Sequence, residues 1–151
     1  PLILILIFIL LVTILTQFPY SSGFELPLLM THFMAGFFIV FSFFKLLDLE
    51  GFVDSFRTYD ILAKKLLPWG YLYPFVELAL GLGFLMKIDP QLLSLATILI
   101  LGLGTVGVLQ AVFSKHRIRC ACLGTVFNLP MTSVTVIENT IMILMAFLML
   151  I

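Results

Sequence analysis

Long runs of apolar residues separated by short polar stretches dominate the pattern of this chain. A helix needs about 20 predominantly apolar residues to cross the hydrocarbon core of a membrane. Five runs approach or reach that length, at residues 2–18, 28–47, 69–88, 92–113 and 134–151. We therefore predict an all-α fold, a polytopic transmembrane helix bundle of four to five spans that forms a single membrane domain over residues 1–151.

The stretch between the second and third runs, residues 48–68, has a different pattern, with apolar and charged positions on separate faces of a helix. The apolar positions are Phe52, Phe56, Tyr59, Leu62, Ala63 and Leu66, and the charged ones are Asp54, Arg57, Lys64 and Lys65. This predicts one amphipathic helix, which lies either in the membrane interface or against the end of the bundle. Trp69, Tyr71 and Tyr73 follow it and are interpreted as interfacial aromatic residues that anchor the third span.

Composition supports a membrane protein and narrows its function. Of the residues, 62% are hydrophobic and 11% are charged, whereas soluble domains carry about 25% charged residues. Eight basic and eight acidic residues give no net charge, which excludes a nucleic-acid-binding protein. The chain begins with Pro1 and has no basic leader, so we expect further residues upstream, with room for a further domain, rather than a cleaved signal peptide.

The basic residues are distributed unequally between the two sides of the predicted bundle. If all five runs cross, one side holds Lys45, Arg57, Lys64, Lys65, Lys115, Arg117 and Arg119, and the other side holds only Lys87. Basic loops stay in the cytoplasm, so both basic connections are predicted to be cytoplasmic. The protein is expected in a bacterial inner membrane.

Both cysteines of the chain lie in the connection before the fifth run, as Cys120-x-Cys122. Three neighbouring basic residues favour the thiolate form. A thiolate pair suits either thiol–disulfide exchange or the capture of a soft ion such as Cu(I) or Hg(II), with His116 as a third ligand. The alternative is two small buried side chains without chemistry. Structural zinc is disfavoured, because it needs four N or S ligands at a set spacing, whereas the chain offers two cysteines and two histidines and His32 is expected at the other membrane face.

Several polar side chains fall inside the predicted spans, in the same half of the membrane as the cysteines. They are Lys45, Glu77, Gln110, Glu138 and Asn139. Ionisable groups in a membrane are expensive and often functional. One hypothesis is a polar chamber in which Lys45 neutralises a glutamate and a carboxylate handles protons. The alternative is a structural ion pair with hydrogen bonds between helices.

Glycines in the fourth run copy the spacing of a dinucleotide-binding fingerprint, at Gly102, Gly104 and Gly107. No strand precedes them, and the pattern is therefore interpreted as close helix packing. The same interpretation applies to the pairs Ala79 with Gly83 and Gly107 with Ala111.

The chain resembles the methylamine utilisation protein MauE family, within the broader DoxX-like group of small helical membrane proteins. The features that carry the resemblance are residues 36–48 (GFFIVFSFFKLLD), Phe52, Tyr59, residues 74–81 (PFVELALG) and residues 120–124 (CACLG). It implies a role in redox maturation of the disulfide-rich small subunit of methylamine dehydrogenase. By motif position, Cys120 and Cys122 would be the redox pair, and Lys45 and Glu77 would be signature residues within the membrane.

Three functional hypotheses follow. The leading one is a thiol–disulfide oxidoreductase or accessory protein that matures a partner protein, with Cys120 and Cys122 as the pair, Glu77 or Glu138 as proton relay, and a quinone as a candidate electron acceptor. The second is a soft-metal binding or transport module fed by an upstream metal-binding domain, because thiols on the cytoplasmic side tend to stay reduced. The third is a structural subunit of a larger complex.

Overall fold

Apolar periodicity and local capping residues divide the described chain into seven helices. The computed structural model describes residues 2–17, 25–113 and 133–151. Its helices are α1 (Leu2–Gln17), α2 (Leu26–Leu47), α3 (Leu49–Phe56), α4 (Ile61–Lys65), α5 (Leu67–Leu85), α6 (Pro90–Phe113) and α7 (Ser133–Leu148). Those ranges contain no strand, so the predicted all-α class is confirmed there. Each of the five predicted apolar runs corresponds to one of the five longer helices.

Among the described residues, two helices are long and apolar enough to cross a membrane, Leu26–Leu47 and Pro90–Gln110. Shorter apolar helical stretches occur at Ile3–Thr16 and Asn139–Leu148. Large hydrophobic side chains such as Leu72, Phe75 and Leu99 point away from the core, as expected of helices that face lipid. A count of four to five spans stays a prediction.

The core of the bundle is the antiparallel pair α2 and α5, which share the most extensive contact between helices. A Cβ atom at Gly81 would lie 2.8 Å from Cγ1 of Ile39 and 3.1 Å from its backbone nitrogen, so the two backbones approach closely at this glycine. Phe38 and Phe84 stack across the same interface. Helix α6 packs against α7, and α1 packs against α2.

The amphipathic segment differs from its prediction, because it forms two short helices instead of one. Asp60 caps the second helix: its Oδ1 accepts hydrogen bonds from the backbone N–H groups of Leu62 (2.9 Å) and Ala63 (2.8 Å). Aspartate is a favoured N-cap residue because its side chain replaces the missing helical partners. The chain therefore ends α3 near Arg57 and starts α4 after Asp60.

These two short helices, with the turn between them, form a cover over one end of the bundle. Their apolar residues Phe52, Val53, Phe56, Tyr59 and Ala63 are buried. The charged residues Asp54, Arg57, Lys64 and Lys65 are exposed. Of the two placements that the sequence left open, the structure shows packing against the bundle end.

Helix α6 meets this cover at a glycine. The position of a Cβ on Gly107 lies directly against the backbone carbonyl of Tyr59 and 3.2 Å from Cα of Asp60. Close packing at Gly107 is therefore confirmed, and the partner is the cover. Gly83 also packs closely, against the Leu93 side chain. Gly102 does not, since no atom of the described residues lies within 4 Å of a Cβ built there, so the packing interpretation is wrong for this residue within the described structure.

Candidate functional site

A lysine and a glutamate form an ion pair inside the covered end of the bundle. Nζ of Lys45, in the last turn of α2, lies 2.5 Å from Oε2 of Glu77 on α5. The two side chains are 7% and 2% exposed. Charged groups are rarely this buried unless they are paired. The predicted pairing of Lys45 with a glutamate is present, and the partner is Glu77.

Aromatic rings surround the ammonium group of Lys45. Nζ lies 5.0 Å from the ring centroid of Tyr73 and 5.6 Å from that of Phe52. Phe56 joins these rings, with centroids 5.0 Å from Phe52 and 4.6 Å from Tyr73. Ring faces within about 6 Å attract a cation through their quadrupole. Lys45 therefore has one carboxylate partner and two ring partners, and its charge is directed into the bundle rather than toward the interface.

Helical spacing explains how the sequence builds this site. Tyr73, Glu77 and Gly81 are four residues apart along α5, so they share one face of that helix. Gly81 brings this face close to α2, which places Lys45 within reach of Glu77. The α3–α4 cover then supplies Phe52 and Phe56 from the side of the bundle end.

A cavity of about 40 Å³ adjoins the ion pair. Its walls come from α2, α3, α5, α6 and α7 and from the turn of the cover; the lining residues are Phe37, Phe41, Lys45, Phe52, Phe56, Tyr59, Tyr73, Glu77, Leu101, Gly104, Val108 and Asn139. Sites for drug-sized ligands and cofactors usually measure about 300–1,000 Å³. This cavity is therefore suited to water-sized molecules.

Some of the predicted polar residues meet here and others do not. Lys45, Glu77 and Asn139 line the same cavity. Gln110, near the end of α6, is exposed. Glu138 precedes Asn139 on α7, and its side chain lies outside the described residues, as do Cys120, Cys122 and His116. Within residues 2–17, 25–113 and 133–151, no group of three histidine, cysteine or acidic residues could hold a metal ion.

Sequence reasoning missed the aromatic part of the site. Tyr73 was predicted to anchor the helix at the membrane interface, but it is buried against Lys45, so that interpretation is wrong. Tyr71, two residues earlier, is exposed and fits the predicted position better. The available signal was the four-residue spacing between Tyr73 and Glu77, which places both on one helix face.

Asp60 is a further buried carboxyl group that the sequence pattern did not single out. It is 2% exposed and caps α4. Burial raises the pKa of Asp60 above its ordinary value of 3.8, although the hydrogen bonds from Ala63 and Leu62 and the charge of Lys64 act in the opposite direction. Desolvation of the charged form is the dominant cause.

Together, the apolar helices and the buried ion pair define an all-helical membrane protein with a small polar chamber at one end. Residues 24–151 match the family model of the methylamine utilisation protein MauE, and the chain therefore belongs to this family. Its function is accordingly associated with methylamine utilisation. The match covers α2 to α7, whereas α1 precedes it. No curated protein and no solved structure matches the chain.

Proposed function

We propose that this protein is a thiol–disulfide redox protein that matures a partner protein in methylamine utilisation. Cys120 and Cys122 would be the redox pair, and the Lys45–Glu77 ion pair would handle the accompanying protons. The observation that carries the proposal is the buried ion pair at the end of the bundle to which the cysteine-containing segment is attached.

The attachment follows from the two flanking helices. Val108 and Asn139 both line the cavity. Helix α6 ends at Phe113, five residues after Val108, and α7 begins at Ser133, six residues before Asn139. At about 1.5 Å per helical residue, these ends lie roughly 8–9 Å along their helices from the cavity. Segment 114–132 is thus joined to the protein, on both sides, near the ion pair.

The proposed thiol–disulfide exchange requires a partner protein that supplies two thiols. A partner thiolate attacks one sulfur of the Cys120–Cys122 disulfide, and a mixed disulfide forms while the other cysteine leaves as a thiolate. The second partner thiolate then resolves the mixed disulfide. The partner gains a disulfide, and two electrons and two protons pass to Cys120 and Cys122. A quinone would reoxidise the dithiol by accepting the same two electrons and two protons.

In this proposal, the carboxylates near segment 114–132 accept and return the protons of the thiols. Glu77 and Asn139 both line the cavity. Glu138 is the adjacent residue on α7. Either Glu77 or Glu138 would receive a proton when a thiol ionises and return it when a thiolate is protonated. Lys45 would stabilise the carboxylate of Glu77.

Serine substitution of each cysteine tests the proposal. Cys120→Ser and Cys122→Ser should each abolish formation of disulfides in the small subunit of methylamine dehydrogenase, measured in cells by alkylation of free thiols and mass analysis. Lys87→Met, a change at an exposed lysine at the other end of the bundle, should leave maturation intact. Normal maturation in both cysteine variants, at wild-type abundance in the membrane, would contradict the proposal.

A labelling experiment tests the sidedness that the basic residues predict. In intact cells, a membrane-impermeant maleimide should not reach Cys120 or Cys122, whereas after lysis and reduction it should label both. Labelling from outside would overturn the cytoplasmic placement. Fully reduced thiols in every condition would instead favour soft-metal capture by the same pair.

A further inference from the structure

The lining of the cavity beside the ion pair includes charged and polar side chains among apolar ones, and the described contacts of the ion pair use only part of its hydrogen-bonding capacity. A lysine ammonium has three N–H donors. Among the contacts of the described residues, Oε2 of Glu77 accepts one of them. The rings of Tyr73 and Phe52 lie beside the ammonium, but a ring face is a weaker acceptor than an oxygen atom.

Helix α7 contributes a further polar group to the cavity lining. Asn139 lines the cavity and is half-buried. Its amide can donate two hydrogen bonds and accept two, yet the only hydrogen bond described for Lys45 and Glu77 is the one they make with each other. Tyr59 and Tyr73 add two phenol groups to the lining.

The size of the cavity matches a small cluster of water molecules. One buried water needs about 10–15 Å³ of such space and two to four polar partners, so 40 Å³ holds about three or four waters. Most of the lining residues are apolar, but a lysine, a glutamate, an asparagine and two tyrosines are among them. Water is the ligand that fits both this volume and these polar groups.

We propose that this cavity is a binding site for three or four water molecules, which bridge the Lys45–Glu77 pair to Asn139. Asn139 is then a positioning residue that holds the water against the ion pair. The proposal that water binds here depends only on the geometry of the cavity. The further idea that this water carries protons between Glu77 and the α7 side of the bundle rests on the proposed function.

Solid-state NMR of the isotope-labelled full chain in liposomes tests the site through polarisation transfer from water. Signals of the Lys45 side chain and the Asn139 amide should gain intensity from water as those of the exposed Lys64 do. Met34 is fully buried and does not line the cavity, and its side chain should gain none. If Lys45 gains intensity no faster than Met34, the cavity is dry and the proposal is overturned.

The variant Asn139→Leu tests the positioning role. It should abolish transfer from water to Lys45, while the Lys45–Glu77 contact remains visible in the same spectra. Unchanged transfer in this variant would show that Asn139 does not hold the water. Should Asn139→Leu fail to fold, Val108→Ile fills the same cavity from α6 and should produce the same loss. Hydration in the wild type, together with normal maturation in the cysteine variants, would refute the redox function and leave the water site standing.

Discussion

The two ends of the bundle treat their charged residues in opposite ways. At the covered end, Lys45 and Glu77 are buried against each other beneath α3 and α4. At the other end, α5 and α6 are joined by a short turn in which Lys87 and Asp89 are exposed. Helix α5 therefore carries a buried charge toward the covered end and leads into exposed charges at the other end.

The difference lies in what surrounds each charge. Lys45 has a carboxylate within hydrogen-bonding distance and aromatic rings around it, so its removal from water is offset by specific contacts. Lys87 lies in a turn that needs no such contacts, since the side chain keeps its own hydration. The covered end thus depends on matched partners, and the turn depends only on backbone geometry. Variants at the two ends should show whether stability depends on paired side chains at the covered end and on backbone geometry at the turn.

Breaking the ion pair should have the largest effect. Lys45→Met leaves the Glu77 carboxylate buried without its partner, which should lower the free energy of unfolding by about 3–5 kcal/mol. The double variant Lys45→Met with Glu77→Leu should recover most of this loss, because no unpaired charge remains. Unfolding in mixed detergent micelles can be followed through Trp69, the only tryptophan. Its ring lies 6.1 Å from that of Tyr73.

The matched control for the ion pair is Lys87→Met, which should change stability little. A double variant no more stable than Lys45→Met alone would contradict the pairing.

A larger side chain at the close contact between α6 and the cover should have the next largest effect on stability. Gly107→Ala places a methyl group against the backbone of Tyr59 and Asp60, where no flexible side chain can yield. We expect a loss of about 1–3 kcal/mol in the free energy of unfolding. Gly102→Ala is the matched control on the same helix, since it enters open space and should stabilise by about 0.5–1 kcal/mol. Equal effects of the two changes would show that close approach at Gly107 does not matter.

At the turn between α5 and α6, relief of backbone strain should raise the free energy of unfolding. Lys87 has a φ of 54° and follows the end of α5 in a motif closed by hydrogen bonds from Ile88 to Gly83 and from Lys87 to Phe84. This left-handed position usually holds glycine. Lys87→Gly should therefore raise the free energy of unfolding by about 1 kcal/mol, measured beside Lys87→Met in the same unfolding assay. A loss in Lys87→Gly would mean that the lysine side chain itself stabilises the turn.

The smallest expected effect is a dependence on pH from Asp60. Its raised pKa means that the folded protein binds this proton more tightly than the unfolded chain does. The contribution of this group to stability is therefore greatest at acidic pH and declines as the pH rises from 3.8 through the folded-state pKa. Asp60→Asn keeps a capping side chain and removes the titration. Stability of the wild type minus that of Asp60→Asn should fall with rising pH over this window, and a rising difference would contradict the assignment.

Much of the helical framework could be predicted from the apolar pattern, because runs such as 28–47 and 92–113 are long and continuous. Helix ends depend on single residues and are harder to predict. The break in the amphipathic segment at Asp60 is an example: its side chain favours a cap, but the apolar periodicity continues through the turn. The pattern predicted one helix because it records which face is apolar and not where the backbone ends its hydrogen bonding.

The ion pair could be predicted only in part. Lys45 and two glutamates stood out as charges within apolar runs, but the choice of Glu77 depends on which helices are neighbours. That choice follows from the close approach of α2 and α5 at Gly81, a contact between residues far apart in sequence. Tyr73 was assigned to the interface from its type and its neighbours Trp69 and Tyr71. Its burial depends on the direction of its helix face, which the spacing to Glu77 indicates.

The Lys45–Glu77 contact also has an electrical consequence. The ammonium and the carboxylate lie 2.5 Å apart, so the pair carries no net charge, and moving it as a unit would do no work against a membrane potential. Removal of one partner, as in Glu77→Leu, would leave a full positive charge in the chamber. Moving one charge across a whole membrane is worth about 2.3 kcal/mol per 100 mV, and an unpaired charge within a bilayer would experience a fraction of that field. An unpaired charge at this site would therefore respond to membrane voltage, while the intact pair would not.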